Sequence, residues 1–234
     1  MNFMRNESAE KLRGSYYTDQ AVARYLAAWA IADGATRILE PSCGDGAFFR
    51  ALRALRWGGR SKEVFACEVD PAAAARSGET LRALGIGDAK LHMGDFLAWF
   101  LRETADAGRF DAVIGNPPFV RYQYLAEHLQ RDSEHIFARH QLRFTRHTNL
   151  WVPFVIASLE LLRPGGRLAL VVPAEIMHVL HAEGLRELLL RECSRALILD
   201  PEEMLFDETL QGVVLLFAEK RSEAAAPGTR GELA

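Results

Sequence analysis

The chain has 234 residues, of which 49% are apolar and 25% are charged, as expected of a single globular domain with a substantial core. The net charge of −3 argues against a stand-alone nucleic-acid-binding protein, which would need a large basic field. Three widely spaced cysteines form no metal-binding pattern, and no apolar run is long enough to cross a bilayer, so we expect a cytoplasmic protein without metal, signal peptide or membrane partner.

Strand and helix patterns alternate along the chain, which is typical of a parallel sheet covered by helices on both faces. We therefore predict an α/β fold with a doubly wound, mostly parallel, seven-stranded sheet. Residues 1–15 are polar and expected to be flexible, and the Ala/Gly/Pro/Glu-rich residues 222–234 are expected to be disordered. The predicted strands cover residues 37–40, 64–69, 90–93, 110–115, 167–172, 196–199 and 213–219.

Local signals predict where several helices begin and end. Asp70-Pro71 supplies an N-cap and a first-turn proline for the helix after the second strand. Asn149 is the expected N-cap of an apolar, well-buried helix over 150–163, which the proline and two glycines of 164–166 should end. After the fifth strand we expect one or two helices, interrupted by Gly184.

Residues 120–147 break this alternation. They contain five arginines, four histidines and three acids, with only weak apolar periodicity. We interpret them as a long polar insertion or lid over the end of the fourth strand; a solvated surface helix is the alternative.

Residues 116–119 form the most distinctive stretch of the chain. They follow the fourth predicted strand, so they lie at its carboxyl end, where open α/β sheets bind their ligands. An asparagine oxygen and a proline carbonyl can accept both hydrogens of one amino group, and an aromatic side chain can stack on a flat ring. A stiff loop with a core phenylalanine is the alternative. The four residues are Asn116, Pro117, Pro118 and Phe119.

A glycine-containing turn joins the first strand to the next helix. Gly44 and Gly46 let the main chain pass close to a ligand, and Glu40 precedes them at the strand end. A dinucleotide site is the common alternative for such a turn. Phe49, however, stands where the third glycine of the GxGxxG pattern would be, which lowers that alternative.

Acidic side chains at three strand ends indicate the chemistry of the ligand. Glu68 can hold the two hydroxyls of a ribose. Asp95 can accept a hydrogen bond from an adenine amino group, with the Phe96 ring packed on the base. Glu40 can meet a positively charged amine. S-adenosylmethionine carries an adenine, a ribose and an amino-acid amine without any phosphate, and it fits this description.

The motif blocks follow one another in an order that resembles the adenine-N6 DNA methyltransferases of the gamma class, found in type I and type II restriction–modification systems. The resemblance covers roughly residues 12–220. It implies a Rossmann-like S-adenosylmethionine-dependent methyltransferase fold, with a catalytic domain over residues 16–221. The blocks are Gly14-Ser15-Tyr16-Tyr17-Thr18, Glu40-Pro41-Ser42-Cys43-Gly44-Asp45-Gly46, Glu68, Gly94-Asp95-Phe96 and Asn116-Pro117-Pro118-Phe119.

The resemblance implies a role for each block in holding the cofactor. Tyr17 and Thr18 would touch its methionine part, although Asp19 stands where the family commonly has a proline. Glu40 and the main chain of Cys43-Gly44 would surround its amine and carboxylate. The complete implied set is Tyr17, Thr18, Glu40, Cys43, Gly44, Gly46, Glu68, Asp95, Phe96 and Asn116.

The resemblance also implies a mechanism at residues 116–119. Asn116 and the Pro117 carbonyl would hold the amino group of the target base, and Phe119 would stack on an adenine flipped out of the DNA duplex. Phe206 could cover the other face of that base, although a core position is the commoner role for such a residue.

The family also carries a target-recognition domain after the catalytic one. Few residues follow the seventh strand here, so we expect DNA specificity to come from a partner subunit or from further sequence. Two enzymatic alternatives are methylation of guanine N2 in ribosomal RNA and methylation of glutamine in a protein, because the enzymes that catalyse them use a strand-end motif similar to residues 116–119. A non-catalytic, cofactor-binding subunit is a third.

Overall fold

A single sheet of eight strands organises the chain in the computed structural model, which describes residues 18–86, 88–103, 109–179, 182–200, 212–222 and 232–233. The strand order is β3-β2-β1-β4-β5-β7-β6-β8, and all neighbours are parallel except that β7 runs antiparallel to both β5 and β6. The strands are β1 Arg37–Glu40, β2 Glu63–Glu68, β3 Asp88–Met93, β4 Phe110–Gly115, β5 Leu162–Pro173, β6 Cys193–Leu199, β7 Val213–Lys220 and β8 Glu232–Leu233.

Helices cover both faces of the sheet, because successive strand residues face opposite sides. Ile38 and Ile114 pack in the core under the first three helices, whereas Leu39 and Val113 pack under the last four. The predicted doubly wound α/β fold is confirmed. The helices are α1 Gln20–Ile31, α2 Ala47–Ala54, α3 Pro71–Arg82, α4 Phe96–Glu103, α5 Glu127–Arg139, α6 Trp151–Leu161 and α7 Glu183–Glu192, with short 3₁₀ helices at Tyr122–Tyr124 and Ala174–Met177.

The order of the strands places the ligand crevice. From β1 the chain continues outward through β2 and β3, and it then returns to add β4 on the other side of β1. The connections therefore diverge between β1 and β4, and in open sheets this switch point is where a crevice forms at the carboxyl ends of the strands.

Several local predictions are confirmed and others are wrong. Asp70 caps α3 with Pro71 in its first turn, and ten of the eleven residues of α6 are buried, both as predicted. Asn149 is not the N-cap of α6; Leu150 takes that position, because residues 148–150 pair with the chain after Phe119.

The limits of the later elements also differ from the prediction. β5 begins at Leu162, so the proline and glycines of 164–166 lie inside a strand rather than at a helix end. Gly184 lies in the first turn of α7 and interrupts nothing. The two residues of β8 pair with β6, although the sequence predicted no ordered element in 222–234.

Helices α4 and α5 were not predicted as such. Asp95 begins α4 by capping it, where the sequence indicated only the end of a strand. In the polar stretch 120–147, α5 buries Ser133, Ile136 and Phe137 and packs against α4 and α6. The stretch is therefore anchored to the core, and its action as a lid stays a prediction. None of the helices in the described part of the chain has the length and apolar character needed to cross a bilayer.

Asp111 fixes β4 against the start of β1 at the edge opposite the crevice. Its carboxylate accepts hydrogen bonds from the main-chain N–H and hydroxyl of Thr36, at 2.7 and 2.8 Å, and from the N–H of Arg37 at 2.9 Å. The Arg163 guanidinium completes the set. Partial burial alone would raise the pKa of Asp111, but the donors from Thr36, Arg163 and Arg37 outweigh it and lower the pKa to about 2.

We expect this carboxylate to make the unfolding free energy depend on pH in the acidic range. Since its folded pKa of about 2 lies below the unfolded value of about 3.9, its contribution is complete above pH 4 and is lost as the pH falls towards 2. Urea denaturation between pH 2 and 6 should show that Asp111→Asn removes roughly 1 kcal/mol of this pH-dependent stability, because solvent screens the partly exposed carboxylate. Equal pH dependence in the variant and the wild type would contradict the role.

Candidate active site

Four polar side chains line the carboxyl edge of four adjacent parallel strands. Along β3, β2, β1 and β4 they are Asp95, Glu68, Glu40 and Asn116, in that order. The sequence predicted each of them separately as a site residue, and the structure brings them to one edge. Because this edge contains the switch point between β1 and β4, the predicted site and the predicted crevice coincide.

The turn after β1 depends on left-handed glycines. Gly44 has φ of 53° and Gly46 has φ of 86°, and the Gly46 N–H donates to the Cys43 carbonyl at 2.9 Å. A Cβ on Gly46 would lie 3.2 Å from both the Phe49 ring and the Ser77 Cα, whereas a Cβ on Gly44 would have no atom within 4 Å. The inner side of the turn is thus tightly packed, and the Gly44 side is open to a ligand.

Glu68 joins the end of β2 to this turn. Its two carboxylate oxygens accept hydrogen bonds from the N–H groups of Gly44 and Asp70, each at 2.8 Å. A carboxylate oxygen can accept more than one hydrogen bond, so both oxygens can still receive hydroxyl groups. Glu68 therefore shapes the turn and also keeps acceptor capacity for a ribose.

The turn after β1 is held by hydrogen bonds within the protein. The Cys43 N–H donates to the Cys67 carbonyl at 2.9 Å, and the Gly44 N–H donates to Glu68. The Cys43 thiol is buried and lies 3.4 Å from the Ser77 hydroxyl. These bonds fix the shape of the main chain that is expected to surround the cofactor amine and carboxylate, and that role of Cys43 and Gly44 stays a prediction.

Glu40 is a buried carboxylate with spare acceptor capacity. It is 1% exposed, and its Oε2 atom has no hydrogen-bond partner among the described residues. Burial, together with the nearby charges of Glu68 and Asp45, raises the pKa of Glu40 well above its usual range, and Arg50 offsets only part of this effect. Asp45 is itself paired with Arg50 at 3.0 Å. Glu40 is therefore the acid in this cluster that most needs a cationic partner.

Asp95 has one oxygen committed to the protein. Its Oδ1 accepts the N–H of Ala98 at 2.7 Å and so caps α4. Burial raises the pKa of Asp95, Asp132 on α5 adds to the rise, and His128 on the same helix opposes it. Side chains of α5 therefore lie close enough to act on this end of the site.

The predicted contact between Phe96 and an adenine ring is not supported. The Phe96 side chain is only 1% exposed and packs against Trp99 and Phe154, with ring centroids 6.1 and 5.1 Å away. An apolar residue at the first position of α4 turns into the core because the helix buries that face. The Phe96 ring is thus part of the core beneath the crevice and presents no face to a ligand in this structure.

Two exposed apolar side chains at the same edge were missed by the sequence analysis. Val69 follows Glu68 and is 63% exposed, and Met93, whose Cα pairs with that of Glu68 across the sheet, is 65% exposed. Single exposed apolar side chains are common on protein surfaces, so the notable feature of these two is their position at the edge of the crevice. The signal available in the sequence was an apolar residue directly after a strand-end acid.

Residues 116–119 are held by both the first strand and the N-terminal segment. The Asn116 side-chain nitrogen donates to the Thr18 hydroxyl at 3.3 Å, and the Ser42 hydroxyl donates to the Asn116 carbonyl at 3.0 Å. The first bond turns the amide oxygen of Asn116 away from Thr18. Pro117 is buried, and Pro118 and the ring of Phe119 are partly exposed. Tyr17 and Phe206 lie outside the described residues.

The comparison with protein families decides the relationship. The model of the Eco57I restriction-modification methylase family matches residues 80–206, which is more than half of the chain. The chain belongs to this family. The resemblance to restriction–modification methyltransferases inferred from the motif order is thereby confirmed.

Individual relatives show the same relationship and its extent. The type II methyltransferase M.TthHB8I of Thermus thermophilus is 31% identical over 183 residues, covering 76% of this chain and 39% of the relative. The chain therefore spans less than half the length of that relative. The type II methyltransferase M.HincII of Haemophilus influenzae is 26% identical over 90% of this chain, and the match covers only 38% of that relative.

A solved structure shares the fold at low identity. A Listeria monocytogenes protein assigned to the class I S-adenosylmethionine-dependent methyltransferases superposes with a TM-score of 0.68 and 19% identity, over 98% of this chain and 67% of that one. At this identity the likeness shows the fold, and the predicted class of methyltransferase fold is confirmed.

The two turn glycines should respond differently to the same substitution. Gly46→Ala adds a clash with Phe49 and Ser77 to the cost of a left-handed alanine, which is roughly 1–2 kcal/mol. Gly44→Ala carries only the conformational cost. Urea denaturation should therefore show a loss of unfolding free energy at least about 1 kcal/mol larger for Gly46→Ala. Equal losses would contradict the packing of the turn against α3.

Proposed function

We propose that this chain is the catalytic part of an S-adenosylmethionine-dependent DNA methyltransferase that acts on N6 of adenine. The observation that carries the proposal is the meeting of Glu40, Glu68, Asp95 and Asn116 at one sheet edge, which pairs acids suited to a nucleoside cation with an amide suited to an amino group. Membership of the restriction-modification methylase family supports DNA as the substrate. Three cysteines free of disulfides fit action in the cytoplasm.

The residues at the edge fit the proposed cofactor. Glu40, whose Oε2 lacks a partner among the described residues, would hold the positively charged amine. Glu68 would hold the ribose hydroxyls, and Asp95 would accept from the adenine amino group. Val69 would cover one face of the adenine, which accounts for its exposure. When bound, S-adenosylmethionine supplies an electrophilic methyl group on a sulfonium ion.

The amide of Asn116 performs the activating step on the target base. An aryl amine is a weak nucleophile because its lone pair is delocalised into the ring. The Asn116 oxygen and the Pro117 carbonyl accept hydrogen bonds from the two hydrogens of that amine, and this draws the nitrogen towards tetrahedral geometry, so that its lone pair is less delocalised. Since Thr18 engages the nitrogen of the amide, the oxygen is the atom presented to the base. No strong base is needed, because orientation and electrostatics supply the effect.

Phe119 positions the base for this step. An adenine within a duplex cannot reach a pocket in a sheet edge, so it must leave the stack and be held by its ring face and its amino edge. Phe119 follows directly after the two prolines; its partly exposed side chain packs against the hydrophobic cores on both faces of the sheet, and its exposed part would contact the base. We further propose that the choice of DNA sequence comes from a partner subunit or from segments beyond those described here, because the curated relatives are more than twice as long as the matched region.

Glu40→Gln should change stability and cofactor binding in opposite directions. Removing a buried charge with an unsatisfied oxygen is expected to raise the unfolding free energy of the ligand-free protein by roughly 1 kcal/mol. Loss of the charge should weaken S-adenosylmethionine binding about tenfold or more, which is about 1.4 kcal/mol. Denaturation and calorimetry measure the two effects.

Asp45→Asn is the matched control for Glu40→Gln. It removes an acid from the same cluster, but that acid already has Arg50 as its partner, so the variant should lose stability instead of gaining it. Unchanged cofactor affinity in Glu40→Gln would remove Glu40 from the amine site.

Asn116→Ala should abolish methyl transfer and leave cofactor affinity within a few-fold, because its oxygen acts on the target amine. Labelled cofactor offered with DNA, ribosomal RNA or a glutamine-containing release-factor protein tests the substrate as well. Ser42→Ala, which loses only the bond to the Asn116 carbonyl, is the control and should lose much less activity. Turnover by Asn116→Ala above about a tenth of wild type, a barrier change under roughly 1.4 kcal/mol, would contradict the mechanism.

A further inference from the structure

A row of exposed cationic side chains lies directly beside residues 116–119. We call it the arginine ridge, and its aromatic member, Tyr124, is 63% exposed. The ridge combines two segments, residues 121–124 and 143–147, that are separated by 18 residues in the sequence but adjacent in the structure. Its members are Arg121, Tyr124, Arg143, Arg146 and His147, all of them exposed.

Main-chain pairing fixes the two segments of the ridge to each other. The Leu150 N–H donates to the Val120 carbonyl at 2.8 Å, and the Tyr122 N–H donates to the Thr148 carbonyl at 3.2 Å. Arg121 and Asn149 form an antiparallel bridge between these bonds. Because the pairing is antiparallel, the chain before Thr148 runs back past Tyr122 and carries the second group of cations to the first.

Aromatic packing holds the second segment down. The Phe144 ring contacts the rings of Tyr122 and Phe137, with centroids 5.4 and 5.2 Å away in edge-to-face geometry. Phe137 is buried on α5, so residues 143–146 are attached to the core through Phe144. Arg143 and Arg146 on either side of this anchor therefore point into solvent from a fixed base.

The cations of the ridge have no acidic partners of their own. Residues 117–126 and 140–159 contain no aspartate or glutamate. Within the part of the chain that the structure describes, no carboxylate forms an ion pair with Arg121, Arg143 or Arg146. Glu134 on α5 accepts a hydrogen bond from the Tyr122 hydroxyl at 2.8 Å, and Arg146 lies close enough to act on the same hydroxyl.

We propose that the arginine ridge binds backbone phosphates of the DNA strand that carries the target base, on either side of the flipped nucleotide. This inference rests on the proposed function. Arg121 is two residues from Phe119, a span of at most about 7 Å, so it can reach a phosphate of a nucleotide whose base is stacked at Phe119. A chain with a net charge of −3 that brings these arginines together without acidic side chains in their own segments has a local site for a polyanion.

The salt dependence of DNA binding tests the ridge. Each phosphate neutralised contributes about 0.9 to the slope of log affinity against log salt. The double variant Arg121→Ala with Arg146→Ala should therefore lower the magnitude of the slope by about 2 on a short duplex and weaken binding at low salt. Cofactor affinity should stay within twofold of wild type, which shows that the variant is folded.

Two further double variants act as controls. Arg121→Lys with Arg146→Lys retains the charges and should keep nearly the wild-type slope. Arg53→Ala with Arg60→Ala removes two exposed arginines at the opposite edge of the sheet and should leave the slope unchanged. Equal slopes for the Arg121/Arg146 alanine variant and wild type, or an equal loss in the Arg53/Arg60 variant, would overturn the proposal.

Methyl transfer to DNA by the wild type, measured in parallel, separates this inference from the proposed function. Intact methyl transfer with an unchanged salt slope in the alanine variant overturns the ridge alone. Absence of methyl transfer to DNA by the wild type overturns the proposed function. Absence of salt-dependent DNA binding by the wild type overturns the proposal for the arginine ridge.

Discussion

The position of the whole candidate site depends on how the four-residue strand β1 is held between its two parallel neighbours. At one end, Asp111 binds the start of β1 to β4 with three hydrogen bonds to Thr36 and Arg37. At the other end, Glu68 binds the turn after β1 to the end of β2 through Gly44. So short a strand has few ladder hydrogen bonds of its own. The two carboxylates therefore set the crevice between β1 and β4, and with it the distances among the site residues.

The net charge of −3 conceals two regions of opposite charge. Glu40, Glu68 and Asp95 concentrate negative charge at the carboxyl edge of the sheet, and the burial of Glu40 makes that charge costly until a cation arrives. A few residues further along the chain, the arginine ridge concentrates positive charge without acids. A cationic nucleoside and a polyanionic strand would thus be attracted to neighbouring but separate surfaces, so that neither ligand competes for the other's site.

Periodicity and strand-end chemistry were enough to predict the strands around the crevice and the polar residues at their ends. β1 has two apolar residues between an arginine and a glutamate, β4 is mostly apolar, and Asp70 before Pro71 is an N-cap that needs no tertiary support. Phe96 failed because its direction depends on α4, a helix whose start was hidden in what looked like the end of a strand. The hydrogen bonds of the Cys43 and Gly44 N–H groups could not be predicted for a related reason, since their partners Cys67 and Glu68 come from another strand.

The same limit explains why the sequence shows the arginines of the ridge but not the surface that they form, and why α6 matters to that surface. Arg121 and Asn149 are 28 residues apart, and only their pairing turns a scattered set of arginines into a surface. That pairing is fixed by Leu150, which leads into α6, the most completely buried helix of the fold. The ridge, which follows the corner at Asn116 directly, is therefore attached to α6 through this pairing. If recognition elements elsewhere deliver the DNA, the corner and the ridge have only to hold one nucleotide by its phosphates and its base. The strand-end position of Asn116 and the exposed position of Arg121 are suited to this division of labour.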